Sequence, residues 1–264
     1  MAGLVQRARA ADKGDMAAAA RLLRRCWSAG VDFALPPRCP GCGLIVDGDH
    51  RFCATCWQAL DFLGPPACIV CALPLPHDIG EAAICGACHA DPPAFDGAHA
   101  AVAYGEVART VALRLKYGGR PGVARTMAGH MARLVRDAAP DTLVAAVPLH
   151  RWRLWSRGYN QALLIARGVA ERTGLDCTPD LLVRTKPTPV LRGLGRKARA
   201  RVVAGAFAVP TPHRALVKGR RVLLIDDVFT SGATAEACAK ALKRAGAAEV
   251  RLLCWARVLR DAAG

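Results

Sequence analysis

Hydrophobic positions in the second two-thirds of this chain fall into short continuous runs separated by amphipathic segments. A continuous apolar run predicts a strand that is buried on both faces, and the amphipathic segments between such runs predict helices that cover a parallel sheet. We therefore predict an α/β fold with a parallel sheet. The predicted strands span 98–104, 143–148, 221–227 and 249–258, and the predicted helices span 160–174 and 233–247.

The first 93 residues differ from the rest of the chain in composition and in hydrophobic periodicity. Residues 1–35 are basic and alanine-rich and predict an amphipathic helix, which either docks on the rest of the protein or forms an arm toward DNA or a membrane. Residues 36–93 lack long helical periodicity and are rich in cysteine, proline and glycine, which indicates a separate small module. We therefore expect three parts, namely 1–35, 36–93 and 94–264.

Composition narrows the fold classes that this chain can adopt, and net charge narrows the classes of partner that it can bind. The 264 residues are 53% hydrophobic but only 5% aromatic, which suits a helix-covered sheet better than a β-sandwich. The formal net charge of +16 attracts polyanions such as nucleic acid, an anionic membrane or phosphorylated small molecules. Because no run of about 18 apolar residues is present and charges interrupt any N-terminal signal core, we expect a cytoplasmic protein without a transmembrane helix.

Eight cysteines of the small module form four C-x-x-C pairs. They are Cys39/Cys42, Cys53/Cys56, Cys68/Cys71 and Cys85/Cys88. Two such turns supply four thiolates to one tetrahedral ion, so the simplest grouping is two sequential structural zinc sites with no open position for catalysis. Interleaved pairing, or a ligand from His50, His77 or His89, is the alternative. The cysteines outside the module are predicted to be core residues, namely Cys26, Cys177, Cys238 and Cys254.

The strand over 221–227 ends in Asp226 and Asp227, and a hydroxyl-rich turn then opens a helix near residue 233. The carboxyl end of a parallel strand faces the ligand crevice of α/β proteins, and the free N–H groups of a first helical turn attract a phosphate. Two acids fit beside a phosphate if they accept hydrogen bonds from sugar hydroxyls, with Mg²⁺ close by. The pattern therefore predicts a ribose 5-phosphate site. The alternative is that one aspartate and Ser231 merely cap the helix.

The stretch from Val222 to Thr234 resembles the phosphoribosyl pyrophosphate (PRPP) motif of type I phosphoribosyltransferases. In those enzymes the acidic pair contacts the ribose hydroxyls and the following loop binds the 5-phosphate. The resemblance implies that Asp226 and Asp227 are the catalytic residues. It implies a 5-phosphate loop of Thr230, Ser231, Gly232, Ala233 and Thr234.

Several features together resemble the ComF family, also called the amidophosphoribosyltransferase-like competence proteins. They are the tandem cysteine turns, LKYGGR (115–120), VPLHRWRLWSRGYNQA (147–162) and the PRPP motif. The resemblance covers residues 33 to 258 and implies a type I phosphoribosyltransferase-like sheet flanked by helices, preceded by a double zinc ribbon, with zinc and Mg²⁺-bound PRPP as ligands. It implies a pyrophosphate or substrate region of Arg157, Asn160, Gln161 and Lys116. The alternative is that Trp152, Trp155 and Tyr159 pack on the sheet while the arginines face solvent.

Residues 184–201 are strongly basic and are interrupted by prolines and glycines. This stretch fits the mobile loop that closes over PRPP in the transferase fold, and equally a loop that faces nucleic acid. The nucleic-acid candidates are Arg196, Lys197, Arg199 and Arg201. The family pattern has a glutamine near Val190 or Leu191 and an asparagine at Val202, and both are missing here, which puts the polar contacts of the loop and hence turnover in question.

Three functions are open on this basis. The first is a ComF-like protein that binds PRPP or a related ribose 5-phosphate ligand with Mg²⁺ and takes part in natural competence and the handling of incoming single-stranded DNA. The second is an active phosphoribosyltransferase, for which no residue pattern identifies the acceptor base. The third is a zinc-ribbon adaptor for DNA-processing helicase or recombination proteins.

Overall fold

The computed structural model of the chain describes residues 36–78, 80, 82–186 and 196–259. The predicted N-terminal helix over 1–35, Cys26, Val190 and Leu191 lie outside the described residues. The side chains of Arg196, Lys197 and Arg199 lie outside them as well.

Seven strands occur in the described part of the chain, and five of them form one parallel sheet. They are β1 (Gly97–Ala103), β2 (Leu143–Ala146), β3 (Asp176–Cys177), β4 (Val183–Arg184), β5 (Phe207–Ala208), β6 (Arg221–Phe229) and β7 (Glu249–Arg257). The spatial order of the large sheet is β1-β7-β6-β2-β3, and each neighbouring pair is parallel. The predicted parallel sheet is confirmed, and β6, which carries the two acids, lies at its centre.

The helices cover this sheet. They are α1 (Ala54–Gln58), α2 (Gly86–Ala90), α3 (Glu106–Tyr117), α4 (Val123–Ala132), α5 (Arg151–Arg157), α6 (Gln161–Thr173), α7 (Arg196–Val203), α8 (Thr211–Val217) and α9 (Ala233–Arg244), with a 3-10 turn at Arg133–Val135. Helices α4 and α6 pack against each other and on β7, β2 and β6, while α9 packs on β7, β5 and α7. All four residues of β2 and residues 222–225 of β6 are buried, because helices cover both strands.

Strand β6 is two residues longer than the sequence predicts. Its last residues, Val228 and Phe229, pair with Ala256 and Arg257 of β7, so the pairing between β6 and β7 continues beyond the two acids. Asp226 and Asp227 therefore lie inside a paired strand and not at its very end.

The basic stretch 184–201 contains more regular structure than the sequence predicts. Residues 183–184 and 207–208 form the short antiparallel pair of β4 and β5, and α7 occupies the end of the stretch. Alanine, lysine and arginine favour the helical state, and Val203 is buried at the helix end. Residues 196–201 are therefore helical, where the sequence predicts a loop.

The cysteine-rich module docks on the exposed edge of β1. The N–H of Ala103 donates to the carbonyl of Asp61 at 2.8 Å, and the N–H of Leu63 donates to the carbonyl of Ala101 at 3.1 Å. These bonds occupy an edge that would otherwise be open to another strand. The module is therefore joined to the sheet by backbone pairing as well as by side chains.

An aromatic cluster holds the first half of the module against α4. Its centre is His130, which lies 5.6 to 5.9 Å from four other rings, those of Phe52, Trp57, Phe62 and Trp255. Burial among these rings, and then the charge of Arg133, lowers the pKa of His130 to about 4, so the imidazole is neutral near pH 7. In the part of the chain that the structure describes, no helix combines the length and hydrophobicity needed to cross a bilayer.

Candidate ligand site and cysteine tetrads

The two acids at the carboxyl end of β6 lie in contact with a lysine from α3. The side chain of Asp227 is buried, and its Oδ2 lies 2.5 Å from Nζ of Lys116. Asp226 is half-buried, and its Oδ1 accepts a hydrogen bond of 2.8 Å from the N–H of Asp227. Lys116, which the sequence assigns to the pyrophosphate region, is thus also the counter-ion of the acidic pair.

Burial and charge shift the pKa values of two of these groups, Asp226 and Lys116. Burial, and then the neighbouring Asp227 carboxylate, raises the pKa of Asp226 to about 8. Burial alone would lower the pKa of Lys116, but the nearby carboxylates of Asp227 and Asp226 outweigh it and raise that pKa above its ordinary value. Near pH 7 the ligand-free site therefore holds the ion pair of Lys116 with Asp227 beside a carboxyl, Asp226, that retains its proton to a higher pH than an exposed aspartate does.

The turn between β6 and α9 needs a glycine. Gly232 has φ +79°, in the left-handed region, and a Cβ added there would lie 2.8 Å from Cε2 of Phe229. The N–H of Glu236 bonds to the carbonyl of Gly232 at 2.8 Å, and the N–H groups at the start of the helix precede this bond. The N-cap residue of α9 is Gly232, which has no side chain to cap the helix, and the hydrogen bond described for Asp226 runs to the N–H of Asp227 and not to α9. The first N–H groups of α9 lie at the end of this turn and have no partner one helical turn earlier, which is the feature by which helix N-termini attract anions.

A basic cleft of about 460 Å³ lies beside the acids. It is lined by Lys116, Tyr117, Gly119, Arg153, Ser156, Arg157 and Tyr159. The lining contains three cationic side chains and no carboxylate, which suits a group with several negative charges. Since Lys116 contacts Asp227 and also lines the cleft, the cleft and the acidic pair form one continuous site.

The polar residues after α5 position this cleft. Asn160 donates from Nδ2 to the carbonyl of Val147 at 3.1 Å and accepts from the N–H of Ala162 at 3.0 Å, so it caps α6 and ties it to the end of β2. Gln161 is buried, and its Oε1 accepts a 2.7 Å bond from Arg157. Of the residues predicted for the pyrophosphate region, Arg157 and Lys116 line the cleft, and Asn160 and Gln161 do not.

The aromatic residues of α5 face outward. Trp152 is 63% exposed and Trp155 is 82% exposed, whereas Tyr159 donates to the carbonyl of Leu115 and packs against the core. The alternative in which both tryptophans pack on the sheet is therefore wrong. A helix of only seven residues has too few positions to show a reliable hydrophobic stripe in the sequence.

One arginine that the sequence does not single out lies near the acids. Burial, and then the charge of Arg153, lowers the pKa of Arg184, while the Asp226 carboxylate acts in the opposite direction. Arg184 is thus a further cation whose charge acts on Arg153 and Asp226. Its only sequence signal is its position at the first residue of the basic stretch.

The eight module cysteines form two tetrads, and the sequential grouping is confirmed. The tetrads are Cys39, Cys42, Cys53, Cys56 and Cys68, Cys71, Cys85, Cys88, with all four sulfur atoms within 4.8 Å of one another in each. Among the described residues, no histidine joins either group. Four soft thiolates at tetrahedral spacing fit Zn²⁺. Backbone N–H groups donate to sulfur in both tetrads, from Cys53 to Cys39 and from Cys85 to Cys68, and so support negatively charged thiolates.

Arg257, at the end of β7, connects the second tetrad to Phe229, the residue that precedes the loop 230–234. Its Nη2 donates to Sγ of Cys71 at 3.4 Å, and its guanidinium carbon lies 4.6 Å from the ring centre of Phe229. Arg257 is buried, and its Nε and Nη1 have no hydrogen-bond partner among the described residues. A zinc ion with four thiolates carries net negative charge, so this buried cation lies where it offsets that charge.

The chain just after the second tetrad also contacts residues on both sides of the loop 230–234. The N–H of Ala94 donates to Oε2 of Glu236, in the first turn of α9, at 2.6 Å. The ring of Phe95 meets that of Phe229 edge to face, with centres 6.0 Å apart. The second tetrad and the loop are thus neighbours in space, although more than 130 residues separate them.

Family models match both parts of the chain. The model described as "Double zinc ribbon domain" matches residues 30–89, and the model described as "Phosphoribosyl transferase domain" matches residues 166–262. With the parallel sheet and the two tetrads, these matches confirm the predicted fold class, a phosphoribosyltransferase-like sheet preceded by a double zinc ribbon.

Curated relatives match over most of the chain. The "DNA utilization protein YhgH" of Salmonella typhimurium is 30% identical over 85% of this chain and 99% of its own length. The protein of the same name in Escherichia coli K12 is 27% identical over 89% and 97%. "Competence protein F" of Haemophilus influenzae is 29% identical over 83% and 96%.

Solved structures give a weaker likeness. The glutamine PRPP amidotransferase of B. subtilis matches with a TM-score of 0.36 and 22% identity, over 53% of this chain and 30% of that one. A purine phosphoribosyltransferase from Pyrococcus horikoshii matches with a TM-score of 0.30 and 19% identity, over 51% and 76%. Scores this low carry no argument about function.

Replacing Arg257 should loosen the second tetrad but not the first. In Arg257→Gln, the rate at which a chelator removes one of the two zinc ions should rise about 10- to 100-fold, the usual effect of removing a group that contacts a metal ligand. The other ion should leave at the wild-type rate, and Arg257→Lys should fall between. Arg251→Gln, a half-exposed position on the same strand, is the control. Unchanged release of both ions would contradict this role for Arg257.

Replacing Asp226 should change how stability depends on pH. A carboxyl with a pKa of about 8 when folded and about 4 when unfolded binds more protons in the folded state, so the free energy of unfolding falls as pH rises from about 4 to about 8. Asp226→Asn removes that loss. Its Tm should exceed the wild-type Tm by an amount that grows over this window, about 2–4 °C for each kcal/mol.

The matched control for this experiment is Asp141→Asn. Asp141 is exposed and pairs with Arg221, away from the acidic pair. Its Tm difference from wild type should change little over the same pH window. A Tm difference between Asp226→Asn and wild type that stays constant from about pH 4 to about pH 8 would show that folding does not raise the pKa of Asp226.

Proposed function

We propose that this chain, which belongs to the ComF family, binds PRPP or a closely related ribose 5-phosphate ligand together with Mg²⁺. The family includes competence protein F and the DNA utilization protein YhgH. The observation that carries the proposal is the acidic pair on β6, which stands between a loop suited to one anion and a cleft suited to another. A ligand with two phosphate groups separated by hydroxyls matches that sequence of charges.

The ribose and its 5-phosphate are assigned to β6 and the following turn. Asp227 would accept hydrogen bonds from ribose hydroxyls, and Asp226 would do the same after giving up its proton or would share it with them. The N–H groups at the start of α9, with the hydroxyls of Thr230, Ser231 and Thr234, would hold the 5-phosphate. Gly232 and Ala233 are assigned to the loop because they leave its backbone accessible.

The pyrophosphate is assigned to the basic cleft. Arg157 and Arg153 line it, and the planar guanidinium groups can each present two donors to phosphate oxygens. Asn160 and Gln161 are assigned positioning roles, since their hydrogen bonds hold the turn between α5 and α6. Lys116 would lie between the pyrophosphate and the acids. When bound, Mg²⁺ neutralises pyrophosphate charge and draws electron density from its oxygens.

Whether binding leads to transfer is a separate proposal. In a phosphoribosyltransferase a nucleophilic base forms a bond to the anomeric carbon while the bond to pyrophosphate breaks, and the pyrophosphate keeps the electron pair. Arg157, Arg153 and Lys116 are the residues of this chain that would stabilise the departing charge. The acceptor base is not assigned, so transferase activity remains an alternative to ligand binding without turnover.

Binding of Mg²⁺-PRPP should depend on Asp227. Calorimetry or native mass spectrometry should detect the ligand at millimolar concentration or below. In Asp227→Asn, which leaves Lys116 without its carboxylate and weakens the contact to the ribose, affinity should fall at least about tenfold. Asp141→Asn should bind as wild type does. Absence of binding by the wild-type protein would reject the ligand proposal, and release of pyrophosphate with any added base would establish turnover.

We propose single-stranded DNA as a second ligand, and DNA-processing helicase or recombination proteins as further partners. The net charge of +16 favours a polyanion, and the names of the relatives refer to DNA utilization and competence. Arg201, which is exposed on α7, and the candidates Arg196, Lys197 and Arg199 provide a basic segment for binding phosphates. Because eight thiols must stay reduced to hold zinc, we place the protein in the cytoplasm.

Binding of single-stranded DNA should be salt-dependent and independent of the acidic pair. A fluorescent oligonucleotide of thymidines should bind at low salt, and the logarithm of the binding constant should fall linearly with the logarithm of salt concentration. Changing all four basic residues of the 196–201 segment to Gln should make that slope shallower by up to about 0.7 for each DNA phosphate that the variant no longer neutralises. Asp227→Asn should have no effect. If the wild-type protein does not bind at low salt, the DNA proposal fails and the adaptor alternative gains support.

A further inference from the structure

An exposed aromatic surface lies next to the basic cleft, at the junction of α5 with the end of α3. Three large rings, those of Trp152, Trp155 and Tyr117, are 63%, 82% and 75% exposed. They are the most exposed aromatic side chains among the described residues. Trp152 and Trp155 are three residues apart on α5, so both project from the same side of this short helix. We call these three residues the aromatic surface.

Arginines are interleaved with the rings of the aromatic surface. The guanidinium carbon of Arg151 lies 5.7 Å from the ring centre of Trp152, and that of Arg157 lies 5.1 Å from the ring centre of Tyr117. Arg153 lies between the two tryptophans in sequence and lines the cleft. The rings are therefore accessible, and cations that can contact phosphate groups lie beside them.

We propose that Trp152, Trp155 and Tyr117 form a stacking surface for the bases of single-stranded nucleic acid, with Arg151 and Arg153 contacting its backbone. This inference rests on the proposed DNA-handling function and assigns that function a location distinct from the 196–201 segment. Accessible aromatic rings beside positive charges are what a sequence-tolerant single-strand site requires, because every base has a π-face and each nucleotide carries one phosphate. A duplex hides its base faces and would use the arginines alone.

The geometry favours this occupant over a protein or a membrane. An apolar protein surface would have to remove water from Arg151 and Arg153 without offering them anionic partners. A membrane-bound amphipathic helix needs a continuous apolar face, whereas α5 has only seven residues and three of them are arginines. Phosphates and bases, by contrast, match both kinds of side chain at once.

The aromatic surface also adjoins the proposed PRPP site without placing its tryptophans in it. Arg153, Arg157 and Tyr117 line the cleft, while neither tryptophan does so. Changes at the tryptophans should therefore alter nucleic-acid binding and leave Mg²⁺-PRPP binding unchanged. This separation allows the two ligand sites to be tested independently.

Substitution of the tryptophans tests the proposal. Trp155→Ala should weaken binding of a thymidine oligonucleotide at least about fivefold, and the double variant Trp152→Ala/Trp155→Ala should weaken it further, since stacking on one ring contributes a factor of this size or more. Trp155→Phe should retain most of the affinity. Leu44→Ala, a change of a 63% exposed apolar residue on the zinc-ribbon module, is the control and should bind as wild type does.

Two further measurements separate stacking from charge. The slope of the binding constant against salt should be the same for Trp155→Ala as for wild type, whereas Arg151→Gln/Arg153→Gln should reduce it. An oligonucleotide without bases should bind wild type and Trp152→Ala/Trp155→Ala equally. Intrinsic tryptophan fluorescence should be quenched by the thymidine strand and much less by the strand without bases.

The outcomes distinguish failure of this inference from failure of the proposed DNA function. If wild type binds the oligonucleotide and the double tryptophan variant binds as tightly, the stacking surface is wrong and DNA handling stands. If wild type binds no oligonucleotide, both fail. If anionic phospholipid vesicles bind wild type, and the double variant loses vesicle binding but not oligonucleotide binding, the surface belongs to a membrane. Mg²⁺-PRPP binding by the double variant verifies that it is folded.

Discussion

Two neighbouring carboxylates on a buried strand, those of Asp226 and Asp227, lie near one lysine, Lys116. This excess of negative charge determines the ion pairing and the pKa values at the centre of the protein. Breaking a buried ion pair such as Lys116 with Asp227 costs about 3–5 kcal/mol, so the lysine is fixed in place by the acid as much as the acid is by the lysine. Because burial and the Asp227 carboxylate outweigh the nearby cations, the pKa of Asp226 is raised to about 8. A ligand that brings Mg²⁺ and hydroxyl donors supplies further partners for both acids.

The position of Lys116 depends in turn on how the last turn of α3 is held. Arg114 donates to the carbonyl of Pro40 in the first cysteine turn at 2.8 Å, and the carbonyl of Leu115 accepts from Tyr159 at the base of the cleft. Three consecutive residues of one helix therefore contact the first zinc ribbon, the cleft and the acidic pair. The second ribbon contacts the other side of the site through Arg257. The ribbons are thus part of the framework that positions the site.

The features that could be predicted from the sequence are those that depend on residues close together in the chain. Uninterrupted apolar runs identify the central strands, paired cysteines at fixed spacing identify the tetrads, and Gly232 identifies a turn that only a glycine fits. Arg257 could not be identified in this way, because its partner Cys71 lies 186 residues away and nothing in the residues around either one indicates the contact. The exposure of Trp155 was equally unpredictable, since it depends on which side of α5 meets the sheet.

The order of charges along the carboxyl edge of the sheet restricts the ligand more than any single residue does. The helix-start loop attracts one anion, the acids beside it repel anions, and the cleft beyond them attracts anions again through Lys116, Arg153 and Arg157. A uniformly anionic chain such as triphosphate would place charge against Asp226 and Asp227. A sugar with phosphate groups at both ends would instead place its hydroxyls there, and the raised pKa of Asp226 lowers the negative charge that such a ligand would meet. Two arginines of α5, Arg153 and Arg157, line the same cationic cleft, so one short helix carries both cleft-lining cations and two exposed rings.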